Sequence, residues 1–528
     1  MTDQRHPDFT DRSATDTRQD RMSFPRASGV LLHPTSLPGP LGVGDLGGQA
    51  YRFADSLAGT GQRIWQILPL GPTGYGNSPY QCLSVFAGNP LLISLEALAA
   101  ENLLRPADLE NLPSLPADRV DYDAVIRLKL PLLRKSAEIF QSESSPAERQ
   151  QFDVFCQENA SWLETYSLFM ALKEAHHLVA WQDWDDDIRR RQPGSLQGWS
   201  KKLTRETFVH RYQQYQFFRQ WSALKKYCNE RGIRLMGDIP IFIALDSAEA
   251  WAHPDMFYLD DNGRPTVVAG VPPDYFSNTG QLWGNPLYRW DVMAGDDYRW
   301  WIERFRAVHA LVDIIRLDHF RGFEKYWEVP GTDVTAMNGR WVPGPGAELF
   351  RAVRAALGTL PIIAEDLGVI TPEVDALRDQ LGFPGMRVLQ FAFGSDPKAD
   401  EYKPHNYPRG CVVYTGTHDN NTTAGWFRDM ATEDTTQSMA EKEAERRLAL
   451  QYLDTDGREI HWDFIRLALM SVADTAVIPM QDVLGLGSPA RMNHPGTTAG
   501  NWCWRFRSEM LTEDIRTRLK RMTVLYGR

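Results

Sequence analysis

The run Asp313-Ile-Ile-Arg-Leu-Asp-His-Phe-Arg-Gly322 constrains the fold more than any other stretch of the chain. Leu311, Val312, Ile314, Ile315 and Leu317 make a short, nearly continuous apolar segment that holds Arg316 and stops at Asp318, His319 and Arg321. Apolar residues at consecutive rather than alternate positions fit a strand covered on both faces, as in a parallel sheet wrapped by helices. Such a strand has no room for charge until it ends. In an α/β barrel the carboxyl ends of the strands carry the chemistry, so a carboxylate there, flanked by two arginines and a histidine, reads as an acidic group held ionised. A strand end closed by a structural ion pair would look the same over so short a window.

The pattern recurs. Apolar runs at residues 28–32, 63–70, 233–241, 360–368, 385–391, 411–420 and 476–479 bring the count to eight, with helical segments such as 208–229, 298–310, 350–357 and 464–472 between them. This is the (β/α)8 TIM barrel count. Several runs end in acid: the third breaks at Asp238, the fifth at Glu365 and Asp366, the seventh at His418, Asp419 and Asn420.

Two interruptions are expected. From about residue 96 to 205 the alternation lapses into a mainly helical insertion, with helices over 124–141 and 147–176. Trp162, Tyr166, Phe169 and Met170 share one face of the second helix as packing, and the charged run 183–191 reads as a solvated surface. From about 245 to 295 the chain makes an irregular excursion rich in Pro, Gly and Asn. It carries Tyr275, Phe276 and Trp283, a lid or platform over a ligand. Residues 1–24 are polar, carry almost no apolar content and are expected to be disordered, without the apolar stretch of a signal peptide. Residues 25–528 then form one catalytic barrel with these insertions, and no separate C-terminal β-domain is expected.

Composition narrows the function. A net charge of −11 with no sustained basic patch opposes a nucleic-acid partner and suits neutral small molecules or polymers. No apolar run approaches the length of a membrane span. The five cysteines are scattered singly, without metal or redox spacing, which fits reduced thiols in a cytoplasm. Gly42-Val-Gly44-Asp-Leu-Gly47 matches a dinucleotide-binding pattern, yet Pro34, Pro38 and Pro40 break the strand it needs. No acidic residue lies between Asp55 and Glu96 to hold a ribose, so a nicotinamide or flavin site is rejected.

Asp238, Asp318, Glu365 and Asp419, with Arg316 and His418 beside them, would therefore converge on one barrel mouth. Like charges so placed drive some pKa values up and need an arginine to hold others down. The absence of a His-x-His or paired Cys/His set argues against a catalytic transition metal. Two carboxylates in unequal environments among tyrosines and tryptophans are the equipment of glycosidic bond cleavage. The loop Gly71-Pro-Thr-Gly-Tyr-Gly-Asn-Ser-Pro-Tyr-Gln81 places Tyr75 and Tyr80 where they either line a sugar groove or anchor the loop.

Arg316-Leu-Asp-His-Phe-Arg-Gly322, Ala364-Glu-Asp-Leu-Gly368, Thr417-His-Asp-Asn420 and Gly237-Asp-Ile-Pro-Ile-Phe242 resemble the sequence blocks of the 4-α-glucanotransferases, the amylomaltases or disproportionating enzymes of the α-amylase clan. The resemblance covers about residues 29–505. It implies a retaining transfer of an α-1,4-glucan segment to the 4-hydroxyl of another glucan or of glucose, with no cofactor and no metal. It also implies Asp318 as nucleophile, Glu365 as acid and then base, Asp419 as transition-state stabiliser, and Arg316 keeping Asp318 ionised. His418 and Asp238 would orient the sugar ring. Tyr80, Tyr275, Phe276, Gln281 and Trp283 would line the glucan path, and His319 and Asn420 would contact substrate beside the catalytic groups. Asn493, Trp502 and Trp504 in the late stretch are expected to close the barrel as structure. The alternatives are an α-amylase-like hydrolase, with water as acceptor, and a catalytically silent glucan-binding protein, which would have lost one of the three carboxylates.

Overall fold

The computed structural model describes residues 22, 24–273, 278–429, 437–497 and 499–528. The expectation of a disordered tail therefore falls almost wholly outside the described residues, as do Tyr275 and Phe276.

Eight parallel strands occur where the apolar runs fall: β1 (Ala27–Leu31), β2 (Ile64–Gln66), β3 (Arg234–Pro240), β4 (Ile314–Asp318), β5 (Ile362–Ala364), β6 (Gly385–Val388), β7 (Cys411–Tyr414) and β8 (Thr475–Pro479). Their hydrogen-bonded order is β6-β7-β8-β1-β2-β3-β4-β5. The Ala364 N–H, at the end of β5, donates to the Pro384 carbonyl just before β6 (2.9 Å), which closes the ring. Every residue of β1, β2, β5, β7 and β8 is buried, as strands between helices require. Between two of the strands the buried Tyr414 hydroxyl donates to Gln66 Oε1 at 2.8 Å.

Register sets the site. Asp238 of β3 lies opposite Arg316 of β4, and Pro240 opposite Asp318. Leu317 lies opposite Ala364, so Asp318 and Glu365 come at the same level, one step past the last pair.

The helical insertion is present, with a correction. The single helix expected over 147–176 is two, Pro146–Glu158 and Ala160–Ala175, parted at Asn159. The Asn159 amide donates to the Phe155 carbonyl (2.8 Å), which also accepts the Asn159 backbone N–H (3.1 Å), and accepts from the Trp162 indole (3.2 Å), so one side chain bonds to both helices at the joint. The run 183–191 turns its acids outward, but Trp184 and Ile188 are buried. The helix Thr204–Glu230 then returns the chain to β3.

The second excursion is more ordered than its composition suggests. Val267–Val271 and Gln281–Pro286 are antiparallel strands, joined by Lys325–Pro330 and Arg340–Pro343 from the segment after β4 into a four-stranded sheet beside the barrel mouth. After β8 the chain is helical and irregular and ends in the helix Glu513–Leu525. No helix among the described residues is long and apolar enough to cross a membrane.

Candidate active site

The carboxyl ends of the strands open into a cleft of about 1220 Å³ including its solvent-facing part, walled by Tyr75, Tyr80, Gln281, Trp283 and Trp502. Asp318, His319, His418, Asp419 and Asn493 face it.

Arg316 lies beneath, 4% exposed. Its Nη1 donates to Asp318 Oδ1 (2.9 Å) and Asp238 Oδ2 (2.6 Å), and its Nε points at the Met386 sulfur (3.3 Å). The Asp318 side chain is a quarter exposed, toward the cleft. Burial raises its carboxyl above the usual range; the Arg316 guanidinium opposes that rise, while Asp238 and Asp419 add to it.

Glu365 follows β5, and both its oxygens accept backbone amides: Oε2 from His319 (2.7 Å) and Oε1 from Leu367 (2.9 Å). His319 turns its N–H to this carboxylate from a left-handed backbone, φ 52°. Burial is the main cause pushing Glu365 up to about 7; Arg316 and the two amides pull it down, and Asp318 pushes it up. A carboxyl poised there gives and takes a proton near neutrality.

Asp419 is about half exposed. Its Oδ1 accepts the Asn493 amide (2.7 Å), and His418 Nε2 stands 3.4 Å away. His418 stacks on Tyr80, ring centres 5.1 Å apart and planes 14° off parallel. On the opposite wall Gln281 and Trp283, two apart on one strand, present the same face, and the Trp283 indole donates to Gln281 Oε1 (3.1 Å). The Trp283 ring meets the His319 ring edge-on at 4.7 Å. Burial lowers the His319 imidazole to about 4, so it is neutral.

Three sequence-based assignments change. Asp238 does not reach the sugar path: its side chain is fully buried, gripped by Arg316 and by the Tyr80 hydroxyl (2.6 Å), so it sets those two groups instead. Asn420 is not part of the cleft wall; its Oδ1 accepts the Thr417 N–H (2.9 Å) and hydroxyl (2.8 Å) and shapes the loop bearing Asp419. Asn493 and Trp502 face the cleft rather than only closing the barrel, whereas Trp504 packs on Phe506. No local signal marks Asn493 in sequence, since it meets Asp419 across 74 residues. Among the described residues no group of three or more His, Cys, Asp or Glu is placed to hold a metal ion.

A (β/α)8 barrel with an arginine-held carboxylate, a carboxyl near pH 7 and an aromatic-walled cleft defines the class of enzymes that act on glycosidic bonds. Residues 32–512 match the pattern of glycosyl hydrolase family 77, 4-alpha-glucanotransferase. The chain is 51% identical over 507 residues to the 4-alpha-glucanotransferase of Synechocystis sp., covering 95% of this chain and 98% of that one. It is likewise 51% identical over 503 residues to that of Thermus thermophilus, covering 95% and 99%. Its fold matches the amylomaltase from Streptococcus agalactiae in complex with acarbose, with a TM-score of 0.90 and 40% identity, over 95% of this chain and 99% of that one. The chain belongs to the 4-alpha-glucanotransferase family.

Proposed function

We propose that the protein disproportionates α-1,4-glucans by double displacement, with Asp318 as nucleophile and Glu365 as acid and then base. The carboxylate of Asp318 attacks the anomeric carbon while the bond to the leaving 4-oxygen breaks, and Glu365 gives that oxygen its proton. Glu365, now ionised, takes the proton from the 4-hydroxyl of an incoming glucan or glucose. That oxygen then displaces Asp318, and the product keeps the α-configuration. Arg316 balances the charge on Asp318. Asp419, held by Asn493, bonds sugar hydroxyls as positive charge develops on the ring. No step calls for a cofactor, and scattered, unpaired thiols are in keeping with a cytoplasmic setting.

The observation that carries this reading is the unequal pair at one level of the barrel: Asp318 beside Arg316, and Glu365 raised to about 7. Water at about 55 M competes for the intermediate, so transfer wins only if the acceptor is bound and aimed, where effective molarities of about 10⁵ M or more are attainable. Tyr75, Tyr80, Gln281 and Trp283 supply aromatic and amide surface for that task.

Incubation with pure maltotriose tests the proposal. Glucose and a ladder of longer maltooligosaccharides are expected, with total reducing ends nearly constant. Reducing ends that rise in step with bond cleavage would make the enzyme a hydrolase, and unchanged maltotriose would leave only glucan binding.

A further inference from the structure

Trp502 has a backbone that a tryptophan does not normally adopt: its φ is +62°, in the left-handed region that bulky side chains avoid. The conformation is held from several sides. The Trp502 N–H donates to the Met492 carbonyl (2.7 Å), and the Trp502 carbonyl accepts the Tyr122 hydroxyl (3.0 Å). On the following residues, the Val120 N–H donates to the Cys503 carbonyl (2.7 Å) and the Arg505 N–H to the Asp118 carbonyl (3.0 Å). The buried Arg505 guanidinium also holds the carbonyls of Leu37, Gly39 and Pro116. Residues 116–122 of the helical insertion and the loop after β1 thus clamp this stretch. Strain over-determined in this way persists where the conformation serves the site.

What the strained backbone delivers is a buried indole against two rings at once. Trp502 lies 5.8 Å from the Tyr80 ring and 5.8 Å from the His418 ring, the two that stack on each other. Tyr80 is bonded to Asp238, which shares Arg316 with Asp318, and His418 stands beside Asp419. We infer that Trp502 is a positioning residue of the cleavage site: it backs the Tyr80–His418 pair, fixes the aim of Asp318 and Asp419, and is held left-handed for that purpose by Tyr122. The inference rests on the catalytic roles proposed above. A small displacement of positioned groups is enough to slow such chemistry greatly.

The test compares Trp502→Ala, Trp502→Gly, Trp502→Phe and Tyr122→Phe on maltotriose, with rates expressed per competent site counted by trapping with a fluorinated glucosyl donor. Removing the ring is expected to lower kcat per trapped site about 50-fold or more with KM changed less than about threefold, because the loss falls on the transition state. Trp502→Phe should restore kcat to within about tenfold of the parent, and Tyr122→Phe, which keeps the ring, should lose about three- to tenfold. Glycine adopts this φ freely, so Trp502→Gly should melt above Trp502→Ala. The inference is overturned if the alanine or glycine variant keeps kcat per site within about threefold of the parent, or if only KM changes. It is also overturned if Trp502→Ala is as stable as Trp502→Gly. Should neither fold, parent-like kcat in Tyr122→Phe overturns it. A parent enzyme that leaves maltotriose unchanged strikes the proposed function instead.

Discussion

Glu365 sits where two tendencies oppose each other: burial and the neighbouring Asp318 raise its carboxyl, and Arg316 and two backbone amides lower it. The result, about 7, predicts that kcat/KM falls as pH rises through that value, because cleavage needs Glu365 protonated. The acid limb belongs to Asp318, which must be ionised to attack. Asp318→Asn should abolish turnover by at least about a thousandfold while leaving glucan binding and melting temperature close to the parent's. That substitution also removes a negative neighbour, so the protonated-carboxyl infrared band of Glu365 should disappear at lower pH than in the parent. A band titrating at the same or higher pH would separate the two residues electrostatically. Arg316 makes a second test at this scale. Arg316→Met leaves Asp238 wholly buried and without its cation, and should cost about 3–5 kcal/mol in chemical denaturation.

The joint between β5 and β6 carries the acid/base. Asp366, next to Glu365 and buried, accepts the Met386 N–H (2.6 Å) and the Arg378 guanidinium (2.5 Å), which ties the Glu365 loop to the next strand. Gly385 lies against it: an added Cβ would stand 2.3 Å from Asp366 Oδ2 and 2.9 Å from its Cγ. Gly385→Ala should therefore destabilise the fold by about 1–3 kcal/mol and lower kcat, since Asp366 cannot move without Glu365. An alanine variant with parental stability and rate would show that the joint has slack. Barrel strands such as β4 and β7 were legible in sequence because burial on both faces leaves a nearly continuous apolar run before the charged strand end. The four-stranded sheet was not, because Gly270 and Gly284 interrupt two of its strands, and the other two end in Pro330 and Pro343 and carry charged residues among the apolar ones, so no continuous apolar run shows. Asp318, Glu365 and Asp419 were legible from their places at strand ends. The depth of Asp238 and the reach of Asn493 depend on side-chain contacts between distant parts of the chain, which no local pattern encodes, whereas Asn420 is turned to Thr417 of its own loop.

At the scale of the whole molecule, the two ends of the described barrel meet at the foot of β8. Arg26 and Arg528 both donate to the carbonyls of Leu469, Ser471 and Ala473, at and beyond the end of the helix Ile460–Met470. Either guanidinium can serve these acceptors when the other is removed. Arg26→Ala and Arg528→Ala should therefore each be mild, and the double variant should be worse than their sum by about 1 kcal/mol or more. Strict additivity in denaturation would show that the two arginines act independently.

The central claim is that a glycosyl group passes from donor to acceptor through Asp318. The most direct measurement is trapping with a fluorinated glucosyl donor, followed by peptide mapping by mass spectrometry and discharge of the labelled enzyme in buffer with and without maltose. A single glucosyl adduct is expected on Asp318, absent in Asp318→Asn, with a discharge that maltose accelerates well beyond the rate in water alone. An adduct on Glu365 or Asp419, or a labelled enzyme that water discharges as fast as maltose does, would contradict it.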